Sequence, residues 1–306
     1  MLNAAVDSYL ARRRAAGFQL KDHEGILRDF TRFASTEGDA FVRSRTVLEW
    51  IRARHGSPLR SCVRLRTVVH LARYLHAEDD RHEVLPAKAL GRRHRPRRSP
   101  PFLFTPQQVR TLVREAGTLG PKTSLQPRVY STLFGLLACT GLRISEALNL
   151  RLEDVTPEGL IVRNTKFGKS RLLALHPSTR KVLEHYLERR SQEAGACPYL
   201  LVSVKGRQLH ENTARAVFRR LVGSLGIAGP NDEPHPRLHD LRFYFANQVM
   251  ANAPGDHTGI SRHMIALTTY LGHSDVRNSY WYLEASPELL SRIADDCESF
   301  VKGENR

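Results

Sequence analysis

Cysteine is scarce in this chain. Only Cys62, Cys139, Cys197 and Cys297 occur among 306 residues, far apart, with no CxxC pair and no Cys/His quartet at zinc-ligand spacing. That excludes a disulfide-stapled fold and a structural zinc module, and it fits reduced thiols. Long apolar runs are missing too, so a membrane-spanning helix is not expected. The opening Met-Leu-Asn-Ala-Ala-Val-Asp lacks the basic start and apolar stretch of an export signal, and a cytoplasmic location is expected. Walker-type, zinc and carboxylate-cluster motifs are likewise missing, so no nucleotide, metal or other cofactor is expected.

Positive charge is in excess. Lysine and arginine number 47 against 31 aspartates and glutamates, a formal charge of +16, which makes a polyanion the first partner to consider, with nucleic acid ahead of others. The excess is uneven. Residues 1–87 hold 15 basic and 11 acidic residues, residues 88–101 hold 6 and none, and residues 102–306 hold 26 and 20. Lys88, Arg92, Arg93, Arg95, Arg97 and Arg98, interleaved with prolines, read as an interdomain linker. Such a run can be a solvated connector or a nuclear-type address; between two basic domains it reads as a strap along phosphates.

Helical periodicity dominates before the linker. Val6 and Leu10, then Ile26, Leu27, Phe30 and Phe33, then Val47, Leu48 and Ile51 each mark an apolar face, and Ser57-Pro58 opens a fourth helix through Val63, Val68, Leu71 and Leu75. Four short helices predict an all-α module. After the linker, Thr105-Pro106 predicts a capped helix start, and Val129 to Cys139 reads as the most apolar helix of the chain, stopped by Thr140-Gly141. Gly159 to Val162 and Leu172 to Leu175 predict a hairpin around a Lys166-Phe-Gly-Lys169 turn. Helices follow over 179–190, 213–225 and 238–251. The expected class is mainly α with a small antiparallel β-sheet.

Five segments carry polar groups that a simple core would not need. Arg143, at the start of a helix in Cys139-Thr-Gly-Leu-Arg143-Ile-Ser-Glu146, either pairs structurally with Glu146 or holds a rigid guanidinium fork for an oxyanion. Lys166 and Lys169 are ordinary solubilising turn residues, or they reach into a DNA groove and donate a proton. His239 and Arg242, three apart, share a helix face and can grip one phosphate. His273 follows the glycine stop in Tyr270-Leu-Gly-His273; a lone histidine there is more often a satisfied helix end. In Ser279-Tyr280-Trp-Tyr282-Leu283 an aromatic cluster is usually core, yet two tyrosines two apart cannot face the same way.

In order and spacing, the set Arg143, Lys166, His239-Asp-Leu-Arg242, His273 and Tyr282 resembles the tyrosine recombinase (phage integrase) family, in the branch carried by mobile elements. The resemblance implies a two-domain DNA clamp: a helical core-binding domain at 1–87, a linker at 88–101 and a catalytic domain at 102–306. It also implies the site. Arg143 and Arg242 neutralise the scissile phosphate, His239 accepts a hydrogen bond from Tyr282, Lys166 with Lys169 as backup is the general acid, and His273 hydrogen-bonds the phosphate. The family's tyrosine lies about nine residues after its Leu-Gly-His, which selects Tyr282 over Tyr280. The partners implied are a specific site on double-stranded DNA and a homotetramer, with sister recombinases in some systems. An amphipathic helix over 287–301 packs on its own chain or on a neighbour. A non-catalytic DNA-binding relative, a type IB topoisomerase and a telomere resolvase remain alternatives on these residues.

Overall fold

A computed structural model describes residues 2–18, 20–86, 89, 100–121, 124–163, 170–227, 235–252 and 257–272. The chain divides into two compact units, Met1–Arg98 and Ser99–Arg306. Among the described residues the class is mainly α with one three-stranded antiparallel sheet.

The first unit holds α1 (Leu2–Ala15), α2 (Lys21–Thr36), α3 (Ser44–Ala53) and α4 (Pro58–His76). Ser57 caps α4, accepting from the Arg60 N–H, and Pro58 occupies the first turn, where its missing donor costs nothing. The apolar stripes meet in one core: Val6, Leu10, Leu27, Phe30, Val47, Trp50 and Val68 are buried. The Trp50 indole N–H reaches Asp29 at 3.0 Å, and Arg54 pairs with the same carboxylate. A buried polar atom is thereby satisfied.

In the second unit, α5 (Pro106–Ala116) begins with a reciprocal capping box between Thr105 and Gln108. The most apolar helix, α6 (Gln126–Thr140), is followed by α7 (Ile144–Asn149), β1 (Val155–Thr156), β2 (Gly159–Val162), β3 (Arg171–Leu173), α8 (Pro177–Glu193), α9 (Glu211–Ser224), α10 (Asp240–Ala251) and α11 (His257–Leu271). Helix α6 packs against α5, α8 and α10, and Val129, Leu133, Phe134 and Leu137 are buried along it. The sheet runs β1-β2-β3, with Leu160 opposite Leu173 and Val162 opposite Arg171.

Several boundaries differ from the sequence reading. The second hairpin strand starts at Arg171 and ends at Leu173, because Val162 pairs with Arg171 and the chain then turns toward α8. Helices α8 and α9 each start two residues earlier than expected. His176 and His210 cap them, their Nδ1 atoms accepting from the Ser178 and Asn212 N–H groups. Helix α10 starts at Asp240 rather than Leu238, since Arg237 to Arg242 form a tight turn closed by N–H to C=O bonds three residues apart. The expected helix over 287–301 and the linker residues Lys88, Arg92, Arg93, Arg95, Arg97 and Arg98 lie outside the described residues.

Candidate active site

Helix α6 ends at Gly141, whose φ of 60° is left-handed and whose N–H closes onto the Leu137 carbonyl. A methyl group there would lie 2.5 Å from Phe245 and 2.8 Å from Leu271. Only glycine therefore lets this turn press against both α10 and α11. Two residues on, Arg143 stands at the N-cap of α7 with its side chain about one-third exposed. Its backbone N–H donates to Glu146 Oε2 at 3.0 Å and its Nη1 to Oε1 at 2.6 Å. Arg143 thus makes the pairing with Glu146 and keeps part of its side chain in solvent.

Arg242 comes from the first turn of α10 and turns inward, 1% exposed. Its Nη1 donates to the Gly141 carbonyl and its Nη2 to the Leu271 carbonyl at 2.8 Å. One guanidinium therefore ties the turn before Arg143 to the last residue of α11. His239, the residue before α10, takes a different course: it stays at the surface and packs edge-to-face on Phe243, with centroids 5.6 Å apart. His239 and Arg242 thus lie three apart at the start of α10, the first exposed and the second buried. His239 is exposed as a residue, yet partial burial strips some of the imidazole's hydration. With the positive fields of Arg242, Arg237 and Arg143, this holds its pKa down to about 4. The ring is neutral at physiological pH.

Sequence reasoning did not single out Arg171. From the first position of β3, its Nη1 and Nη2 donate to Glu146 at 3.2 and 2.9 Å and its Nε to the Tyr270 carbonyl at 2.9 Å. The contact with Glu146 spans 25 residues, and the only local hint was a cation opening a strand in an otherwise apolar hairpin. Burial pushes the Glu146 carboxyl upward, but the hydrogen bonds and charges of Arg171 and Arg143 outweigh it and bring the pKa to about 2. A depressed carboxyl contributes stability above its unfolded pKa and loses it as pH falls through the folded value. Glu146→Gln should therefore destabilise the protein by about 3 kcal/mol near neutral pH, a difference that shrinks as pH drops from about 4.5 toward 2. Urea unfolding of both proteins at several pH values measures this.

The structure thus brings Arg143, His239 and Arg242 to the junction of α6, α7, α10 and α11. Lys166, Lys169, His273 and Tyr282 lie outside the described residues, although Gly272, which precedes His273, is described. Among the described residues no group of three His, Cys, Asp or Glu side chains is placed to hold a metal, and no helix is long and apolar enough to cross a membrane.

Residues 103–288 match the phage integrase family. The protein named integrase/recombinase y4rB of Sinorhizobium fredii (strain NBRC 101917 / NGR234) is 37% identical over 94% of this chain and 93% of its own. The chain belongs to the phage integrase family. Its fold is shared with the crystal structure of the XerH site-specific recombinase bound to palindromic difH substrate (TM-score 0.63, 18% identity, 89% of this chain and 78% of that one). It is shared as well with a lambda integrase tetramer bound to a Holliday junction (TM-score 0.61, 16% identity, 90% and 77%).

Proposed function

We propose that this protein is a site-specific DNA recombinase that cleaves and rejoins double-stranded DNA through a 3′-phosphotyrosine on Tyr282. The observation that carries the reading is that Arg143, Arg242 and His239 meet at one junction: Arg242 bonds the Gly141 carbonyl two residues before Arg143, and the charges of both arginines help hold the His239 imidazole neutral. A phosphodiester repels nucleophiles by its charge, and two arginines at its nonbridging oxygens stabilise the pentacovalent transition state. The Tyr282 phenolic oxygen attacks phosphorus while its proton passes to His239, which can accept one only because its imidazole is uncharged. The bond from phosphorus to the 5′ oxygen breaks, and that oxygen takes a proton from Lys166. His273 hydrogen-bonds the phosphate. Attack of a 5′-hydroxyl from another strand reverses these steps, so the bond energy is conserved and neither a cofactor nor a metal enters.

In this reading the first unit is the core-binding domain and the second the catalytic domain, with Lys88, Arg92, Arg93, Arg95, Arg97, Arg98 and Lys169 on DNA phosphates. Four subunits exchange strands through a Holliday junction in the cytoplasm. The test incubates the protein with a nicked duplex of its binding site, obtained by selection from random duplexes. A covalent adduct whose DNA-linked peptide contains Tyr282 is expected. Tight, site-specific binding without any adduct would overturn the enzymatic reading in favour of a DNA-binding protein without chemistry.

A further inference from the structure

We infer that Arg171 is a positioning residue of this site, which keeps the charge of Arg143 available for phosphate by neutralising the carboxylate that the two arginines share. The inference rests on the recombinase reading above and concerns a residue that touches neither DNA nor the reacting atoms.

Glu146 accepts four N–H donors: the Arg143 backbone N–H and Nη1, and Nη1 and Nη2 of Arg171. An arginine fork across both carboxylate oxygens is among the strong pairings in proteins. Arg171 makes that fork with its side chain only 14% exposed, while Arg143, at 32%, spends a single guanidinium nitrogen on the same carboxylate. Two arginines and one glutamate leave a net charge of +1, carried at the solvent side by Arg143. Without Arg171, Arg143 and Glu146 form a neutral pair. A neutral pair has little attraction for a phosphodiester, and Arg143 would be drawn fully onto the carboxylate.

The third nitrogen of Arg171 fixes where the fork sits. Its Nε holds the Tyr270 carbonyl in the last turn of α11, and its guanidinium lies against Gly272, where a methyl group would approach Nη1 to 2.9 Å. Gly272 has a φ of 66°, so the glycine provides both the left-handed turn and the room for the arginine. Arg171 thereby joins three parts of the chain that the mechanism needs in register: the strand two residues after Lys169, the helix start bearing Arg143, and the helix end that leads into His273.

Charge balance gives a test that a packing role cannot imitate. Adduct formation on the nicked duplex is timed in a single turnover for wild type, Arg171→Met, Glu146→Gln and the double variant, with DNA affinity and melting temperature measured alongside. Arg171→Met should slow adduct formation about 100-fold, comparable to losing one transition-state donor, with affinity changed less than about threefold. The double variant, which restores the net charge of +1, should recover at least about tenfold of that loss. If Arg171 served packing alone, removing its partner as well would leave the double variant as slow as Arg171→Met or slower, and that result overturns the inference. So does a wild-type rate in Arg171→Met. Should Arg171→Met fail to fold, Arg171→Lys keeps the charge without the fork, and a rate between wild type and one-hundredth of it is expected; a rate equal to wild type counts against the role of the fork. Wild type forming no adduct overturns the recombinase reading and this inference with it, a result distinct from an active wild type with active variants.

Discussion

Tyr282→Phe is expected to form no covalent adduct with a nicked duplex, while it still binds that duplex within about twofold of wild type. The chemistry dictates the first half. The adduct is a bond between phosphorus and a side-chain oxygen, and phenylalanine has no oxygen to give. Losing a nucleophile removes a whole reaction path, and residual strand cleavage should fall at least about 10⁴-fold. The second half follows from scale. A single phenol hydroxyl contributes on the order of 1 kcal/mol to a complex held by many phosphate contacts, so its loss should hardly move the affinity. Tyr280→Phe serves as the control and should form adduct near the wild-type rate. An adduct from Tyr282→Phe together with none from Tyr280→Phe would move the nucleophile to Tyr280. Denaturing gels of the DNA-linked protein read both results directly.

The sequence and the structure agree best where the signal is periodic. Leu27 and Phe30 in α2, or Val129, Leu133 and Phe134 in α6, repeat at helical spacing and are buried as that spacing predicts. Termini were less legible. Imidazole is an uncommon cap, so the start of α9 carries no local mark and that of α8 only Pro177, although the ring nitrogens of His176 and His210 do the work of an aspartate there. Thr105 and Ser57 are ordinary caps, each followed by a proline, and they mark their helix starts.

At the site, the positions of Arg143, His239 and Arg242 were legible because each sits in a short local motif at the start of a helix. Their environments were not. Arginine is seldom fully buried, so nothing local foretold that Arg242 would spend two nitrogens on the carbonyls of Gly141 and Leu271, 101 and 29 residues away. The same holds for Arg171 and Glu146. Long-range pairing of a strand residue with a helix residue leaves no periodic trace, and it becomes visible only when the chain is folded.

Arg242 is the residue at which structure and chemistry are hardest to separate, and two variants separate them. Its side chain is buried and closes the helix-end junction, so Arg242→Ala strands two carbonyls and leaves a void; a loss of about 3 kcal/mol and a visibly lower melting temperature are expected. Arg242→Lys keeps the charge but has one nitrogen where two carbonyls wait, and a smaller loss of about 1–2 kcal/mol is expected. Both proteins should remain folded at low temperature, where adduct formation is then compared. If Arg242 only braced the junction, each variant there would react at nearly the wild-type rate. With a guanidinium required at the phosphate, Arg242→Ala should be slower by about 10³-fold and Arg242→Lys by about 10²-fold. A substrate carrying an uncharged methylphosphonate at the scissile position supplies the final discrimination. Its phosphorus no longer needs neutralising, so the Arg242→Ala defect should shrink by at least about tenfold on it. A defect of equal size on both substrates would assign Arg242 to the fold alone and leave the transition state to Arg143.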